Sequence, residues 1–159
     1  MENLKKTIGK LIPKKYEAGM IHVYHAALAY SAALWYHFPS RDIHVVGITG
    51  TKGKSSTAEM VNAILEEAGL KTVLIGTIKF KIAGEVIPNK MRMTMPGRFL
   101  IQQMLHEGIK KGATWAVIEM TSQGAVQNRH KYIESDALIF TNLSPEHIES
   151  HGSFENYRA

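Results

Sequence analysis

The sequence predicts an α/β protein: a P-loop-type, mostly parallel sheet with flanking helices, preceded by an N-terminal helical segment. Three observations carry this. After Ser40, short β-branched runs alternate with stretches of helical periodicity; a glycine-rich turn ending in Gly53-Lys54-Ser55-Ser56 joins the first such run to the first such stretch; and one long apolar segment at helical spacing lies before Ser40. With 159 residues, 45% hydrophobic, 21% charged and only 5 prolines, the chain has the size and composition of one globular domain, which excludes disorder, collagen and coiled coil as whole-chain answers. It contains no cysteine, so disulfides and thiolate metal sites are excluded and a reducing, cytoplasmic setting is expected.

The first element is the N-terminal segment, residues 1–40. Lys5, Lys6, Lys10, Lys14 and Lys15 precede a mostly apolar run from Met20 to Phe38, an order shared with signal anchors. His22, His25, Ser31, His37 and the high alanine content count against a membrane span. Val23, Ala26, Ala27, Tyr30, Leu34 and Phe38 recur at spacings of three and four, which predicts a packing helix that buries this face and stops at Pro39. Membrane-surface contact through residues 1–40 is the lesser alternative.

Residues 41–159 form the second unit. Strands are expected at Ile43 to Ile48, Thr72 to Thr77, Thr114 to Met120 and Asp136 to Thr141, each apolar enough to be covered on both faces. A helix from Ser55 to Ala68 should place Met60, Val61, Ile64, Leu65 and Ala68 on one side and stop at Gly69. The next opens near Pro96 and buries Leu100, Ile101, Met104, Leu105 and Ile109. Ile78 to Pro88 alternates around Ala83-Gly84-Glu85, as a β-hairpin would.

The loop Gly47-Ile48-Thr49-Gly50-Thr51-Lys52-Gly53-Lys54-Ser55-Ser56 lies between a strand and a helix, the context a phosphate-binding loop requires. Glycines let backbone N–H groups turn toward phosphate oxygens, the helix start adds its positive end, Lys54 can neutralise phosphate charge, and the Ser55 hydroxyl can hold Mg²⁺. The pattern is a variant, because Ile48 stands where the strict motif has its first glycine. Lys54 is expected to be exposed. A second metal anchor is expected at a neighbouring strand end, which Glu119 supplies after Trp115-Ala116-Val117-Ile118; capping a helix or pairing with Arg129 is the alternative. Thr141 to His147 end the fourth strand on the same edge, making His147 a further metal candidate.

Taken together, Thr49 to Ser55, Glu119-Met120-Thr121-Ser122, Val126-Gln127-Asn128-Arg129, and Phe140 to His147 with His151-Gly152 resemble the Mur ligases in order and spacing, most of all the MurE type. The resemblance runs from about Ile43 to Ala159. It implies ATP and Mg²⁺ as cofactors, and as partners a UDP-N-acetylmuramoyl dipeptide and a diamino acid joined through an acyl phosphate. It further implies catalytic Lys54, Glu119 and His147; nucleotide contacts from Gly50, Thr51, Lys52, Gly53, Lys54, Ser55, Ser56 and Asn142; metal contacts from Ser55, Glu119 and His147; and substrate contacts from Thr94, Thr121, Ser122, Gln127 and Arg129.

Departures accompany the likeness. Lys52 replaces the family's usual Asn, Thr94-Met95 its Thr-Thr, Thr121-Ser122-Gln123 its Ser-Ser-His, and Glu146 its Asp. Residues 1–40 are too short for the family's separate UDP-binding domain. The sequence also stops just short of the position of the family's carbamylated lysine, so the isolated chain is expected to bind nucleotide without completing a turnover. Alternatives are a nucleotide-binding module without ligase activity, or a folylpolyglutamate or cyanophycin synthetase type. Nucleic-acid binding is not expected despite a pI near 9.4, because the bases are scattered and no aromatic platform accompanies them.

Overall fold

The computed structural model describes residues 14–91 and 93–144. Helix α1 (Lys14–Trp35) leads through a 3₁₀ turn (Pro39–Arg41) into β1 (His44–Thr49), α2 (Lys54–Glu67), β2 (Thr72–Ile75), the hairpin β3 (Lys79–Ile82) and β4 (Glu85–Pro88), α3 (Arg98–Lys110), β5 (Trp115–Glu119), the short α4 (Ser122–Val126) and β6 (Ala137–Phe140). The strands lie in the order β4-β3-β2-β5-β1-β6. β2, β5, β1 and β6 are parallel, and the hairpin adds two antiparallel strands at one side.

Alternation along the central strands feeds two cores. Val45, Val73, Ile75, Ala116 and Ile118 meet Ile101, Met104 and Leu105 of α3 on one face. Val46, Ile48, Leu74 and Val117 meet Ala58 of α2 on the other, with Val61 and Leu65 partly buried against them. In the middle of α3, Gly108 is a packing residue: a Cβ there would stand 2.1 Å from Val73 Cγ2. Pro96 sits one residue before the Gly97 N-cap of α3 rather than inside its first turn, and Gly69 follows the Ala68 C-cap of α2 as a positive-φ residue. The hairpin turns at Ala83 and Gly84, both at positive φ, the geometry a two-residue turn needs.

Three expectations about faces are corrected. On α2, Met60, Ile64 and Ala68 are exposed, and the inward stripe is Ala58, Val61, Asn62 and Leu65. Asn62 is tolerated inside because its side-chain oxygen accepts a 2.6 Å hydrogen bond from Thr72 Oγ1, and nearby Glu66 accepts from Lys81 Nζ at 2.6 Å. Burial works against the Glu66 charge, but the Lys81 contact outweighs it and holds that carboxyl below its ordinary value. On α1, Val23, Tyr30 and Leu34 are exposed, while Ala29, Ala32 and Ala33 are buried; small side chains let α1 approach α3 closely. The helix also stops at Trp35, ahead of His37 and Phe38, which take positive φ. Phe38 leaves the helix to stack edge-on with Tyr30 and Tyr132, with the Arg41 guanidinium 4.7 Å above its ring. β6 is not covered on both faces among the described residues: Leu138 and Phe140 are exposed.

Candidate functional site

Parallel strands end on one edge of the sheet, so the turns after β1, β2, β5 and β6 converge there. The first turn is the glycine-rich loop. Gly50 has φ +126°, and a Cβ on it would lie 2.3 Å from Thr141 Oγ1 and 2.8 Å from the Asn142 carbonyl oxygen, so only glycine fits this crossing of two turns. Asn142 grips the loop: its Oδ1 accepts from the Lys52 N–H at 3.0 Å, its Nδ2 donates to the Lys52 carbonyl at 2.9 Å, and its own carbonyl accepts from Thr51 N–H. Thr51 in turn accepts from Ser144 N–H at 3.0 Å. Gly53 caps α2, and Ser56 faces solvent in its first turn. Lys54 is half-buried rather than exposed, because its ammonium folds back on the carbonyls of Gly50 and Thr51 at 2.7 and 2.9 Å.

At the end of β5, Glu119 is only 2% exposed yet fully partnered. Its Oε2 accepts from Ser55 Oγ and from Thr77 Oγ1, each at 3.0 Å, and its Oε1 accepts from Thr77 N–H at 2.9 Å. Arg129 is elsewhere, and Glu119 caps no helix. Thr77 Oγ1 also lies 2.9 Å from Thr94 Oγ1, so Ser55, Glu119, Thr77 and Thr94 form one chain of oxygens. Around it, Thr51, Gly53, Lys54, Ser55 and Ser56 line a cavity of about 330 Å³. Two of these supports were invisible in the motifs. Thr77 follows β2, whose strand end carried the only available signal; Asn89, buried beyond the hairpin, uses Nδ2 to reach the carbonyls of Gly76, Thr77 and Met93 and so joins the Thr77 and Thr94 turns.

The groove continues past Thr94. Thr49, Gly50, Lys54, Thr94, Thr121 and Ser122 border an adjoining cavity of about 410 Å³, and Thr94, Thr121, Gln127 and Arg129 a third of about 240 Å³. Thr121 caps α4 by accepting from Gly124 N–H at 3.0 Å. Met95, one of the departures noted in the sequence, is buried with its sulfur against Gly124. Arg129 directs Nε and Nη2 at Gln127 Oε1, 3.0 and 2.7 Å away, and Nη1 at the Met95 carbonyl; burial lowers its pKa from the ordinary value. His147, with all of 145–159, lies outside the described residues.

With this groove in view, the sequence matches the Mur ligase middle domain over residues 48–159. The chain belongs to the Mur ligase family. It is 38% identical over 133 residues to the UDP-N-acetylmuramoyl-L-alanyl-D-glutamate–2,6-diaminopimelate ligase 2 of Clostridium acetobutylicum, covering 83% of this chain and 28% of that protein. It is 36% identical over 134 residues to the UDP-N-acetylmuramyl-tripeptide synthetase of Treponema pallidum, covering 83% and 25%. A solved UDP-N-acetylmuramoyl-L-alanyl-D-glutamate–2,6-diaminopimelate ligase superposes with TM-score 0.64 at 27% identity, over 72% of this chain and 23% of that one. MurF from Acinetobacter baumannii, at TM-score 0.56 and 18% identity over 83% and 25%, shares the fold. This Mur ligase chain therefore spans about a quarter of the length of these relatives.

Sequence reasoning also missed how α1 reaches the groove of this Mur ligase domain. Arg98 Nη2 bonds the Gln127 carbonyl and lies 2.7 Å from His25 Nδ1, while Asn128 Nδ2 donates to the His22 carbonyl at 3.2 Å. Burial, then the charges of Arg98 and His22, lower the His25 pKa; burial, then Arg129, lower that of Arg98. His25 thus serves as the neutral acceptor for Arg98, and α1 steadies residues 127–129 from behind.

Proposed function

We propose that this chain forms the nucleotide- and muramyl-peptide-handling part of an ATP-dependent ligase of peptidoglycan precursor synthesis, one that adds a diamino acid to UDP-N-acetylmuramoyl-L-alanyl-D-glutamate. The observation that carries the reading is the buried Glu119 carboxylate meeting the Ser55 hydroxyl behind a glycine loop that also holds Lys54. Carboxylate and hydroxyl oxygens are the hard donors Mg²⁺ selects, and few protein ligands suffice because phosphate and water complete its shell. The residues present therefore fit Mg-ATP.

In the reaction proposed, a substrate carboxylate oxygen attacks the γ phosphorus and ADP leaves; the incoming amine then attacks the acyl carbon, expelling inorganic phosphate and losing a proton. The bound metal would supply charge neutralisation at the transferring phosphoryl group. For the chain itself, the Gly50 to Ser56 loop offers N–H groups to phosphate oxygens, with Asn142 fixing its shape. Lys54 exchanges the carbonyls of Gly50 and Thr51 for phosphate oxygens, neutralising charge that builds during transfer. Ser55 and Glu119 would hold the metal, Thr77 and Asn89 orient Glu119 and Thr94, and His147 is proposed as a second metal contact. Thr94, Thr121, Ser122, Gln127 and Arg129 receive the muramyl dipeptide along the groove, the guanidinium of Arg129 serving an anionic oxygen.

The test is calorimetric titration of the chain with UDP-N-acetylmuramoyl-L-alanyl-D-glutamate in the presence of Mg²⁺ and a non-hydrolysable ATP analogue. Saturable binding of both, with Arg129→Ala losing the muramyl peptide but keeping the nucleotide, supports the reading. Nucleotide binding with no muramyl-peptide binding would leave a nucleotide module in its place.

A further inference from the structure

The sequence carries no Asp, Glu, Lys or Arg from Ala18 to Ser40, a stretch that includes most of α1. Such a stretch suits a helix buried all round. Yet α1 buries only one side. Ala29, Ala32 and Ala33 pack inward and His22 and His25 hold residues 128 and 98, while Met20, Val23, Tyr24, Leu34 and Trp35 are exposed, Val23 and Trp35 at 70% and 73%. At 100° per residue these five, with Ala27 between them, fall in one arc of roughly 120° opposite the alanines. A helix face left to water normally carries charges; this one carries large apolar and aromatic side chains, including the Trp and Tyr that favour a wet–apolar boundary.

We propose that α1 docks this protein on an anionic lipid surface, lying in the headgroup plane with this outward face in the acyl boundary. Charge selects the occupant. The uncharged stretch follows Lys5, Lys6, Lys10, Lys14 and Lys15, with only Glu2 and Glu17 among them, while at its other end Arg41 precedes Asp42 and pairs with Glu134. This basic N-terminal flank attracts anionic headgroups, whereas a second copy of α1 would bring no acidic run to answer it. Surface attachment rather than insertion follows from two facts: no helix among the described residues is long and apolar enough to cross a membrane, and the inner side of α1 is committed to α3. The inference is independent of the nucleotide site.

Flotation of the full chain with vesicles of equal parts phosphatidylcholine and phosphatidylglycerol tests it, with phosphatidylcholine vesicles as the comparison. The chain should float with the anionic vesicles, and brominated acyl chains should quench fluorescence that Trp35→Phe removes. The pair Val23→Asp with Leu34→Asp should abolish flotation at unchanged circular dichroism. Replacing Lys5, Lys6 and Lys10 by Gln, which leaves the helix face intact, should weaken binding by about fivefold per lysine. Failure of the unaltered chain to float, flotation that survives the Asp pair, or reversible dimers in sedimentation that the Asp pair dissolves would overturn the proposal, the last by making a second copy the occupant.

Discussion

Ser55 Oγ and Glu119 Oε2 lie 3.0 Å apart although 64 positions separate them in the chain. The contact exists because β1 and β5 are adjacent parallel strands, with Ile48 opposite Glu119, so the loop after one strand starts beside the end of the other. A buried carboxylate with three donors aimed at it is costly to disturb from either side.

Glu119→Gln therefore keeps the shape but turns an amide N–H₂ toward groups that are already donors. Loss of one buried partner costs about 1–3 kcal/mol. The variant should melt at lower temperature and lose most of the stabilisation that Mg-ATP confers, which thermal unfolding with and without Mg-ATP would measure. Unchanged stabilisation would show that this carboxylate does not serve the metal.

Gly50→Ala should be far more damaging to nucleotide binding than Gly53→Ala. At position 50 the new Cβ meets Thr141 Oγ1 and the Asn142 backbone at a φ few L-residues adopt; at position 53 nothing lies within 4 Å. The first cost is of order 1–3 kcal/mol for the backbone alone, the second about 1–2 kcal/mol. Titration of both variants with Mg-ATP gives the ranking, and equal losses would contradict the role assigned to the crossing of the two turns.

Gly108→Ala sets two effects against each other. Helix propensity favours alanine by roughly 0.5–1 kcal/mol, but the added methyl would stand 2.1 Å from Val73 Cγ2, and overpacking of this kind costs about 1–3 kcal/mol. Net destabilisation in urea unfolding is expected. A stabilised variant would mean that α3 can shift outward without penalty.

The contact between His25 and Arg98 makes docking of α1 depend on pH. Burial first, and the nearby Arg98 next, lower the pKa of His25 in the folded chain. The neutral form is favoured by folding, so this contribution is complete above about pH 6.5, the unfolded value, and is lost as pH falls toward the folded value. His130, lowered by burial and Lys131, acts in the same direction. Stability should thus fall between neutrality and mild acid, and His25→Gln should flatten part of that slope; an unaltered slope would remove His25 from the account.

Much of the fold was legible because its signals are local. The strands are short apolar runs between turns, and the Gly53-Lys54-Ser55 segment marks both the end of a strand and the start of a helix. Faces were harder. On α2, the exposed pair Met60 and Ile64 carries the same spacing as the buried stripe, and only the long-range partner Thr72 explains why Asn62 points inward. On α1, the large side chains suggested the buried face, but contact with α3 selects the small ones. In the site, motif residues mark the loop, Glu119 and Arg129, whereas Thr77, Asn89 and Arg98 act through carbonyls and hydroxyls of distant turns, which no spacing along the chain reveals.

The central claim is that the Gly50 to Ser56 loop and Glu119 form a Mg-ATP site. Calorimetric titration of the unaltered chain and of Lys54→Ala with Mg²⁺ and a non-hydrolysable ATP analogue tests it most directly. Since hydrogen bonds to charged groups contribute about 1.5–3 kcal/mol, the account predicts binding weakened by roughly ten- to a hundredfold in Lys54→Ala with an unchanged circular dichroism spectrum. Equal binding by the two proteins would contradict it.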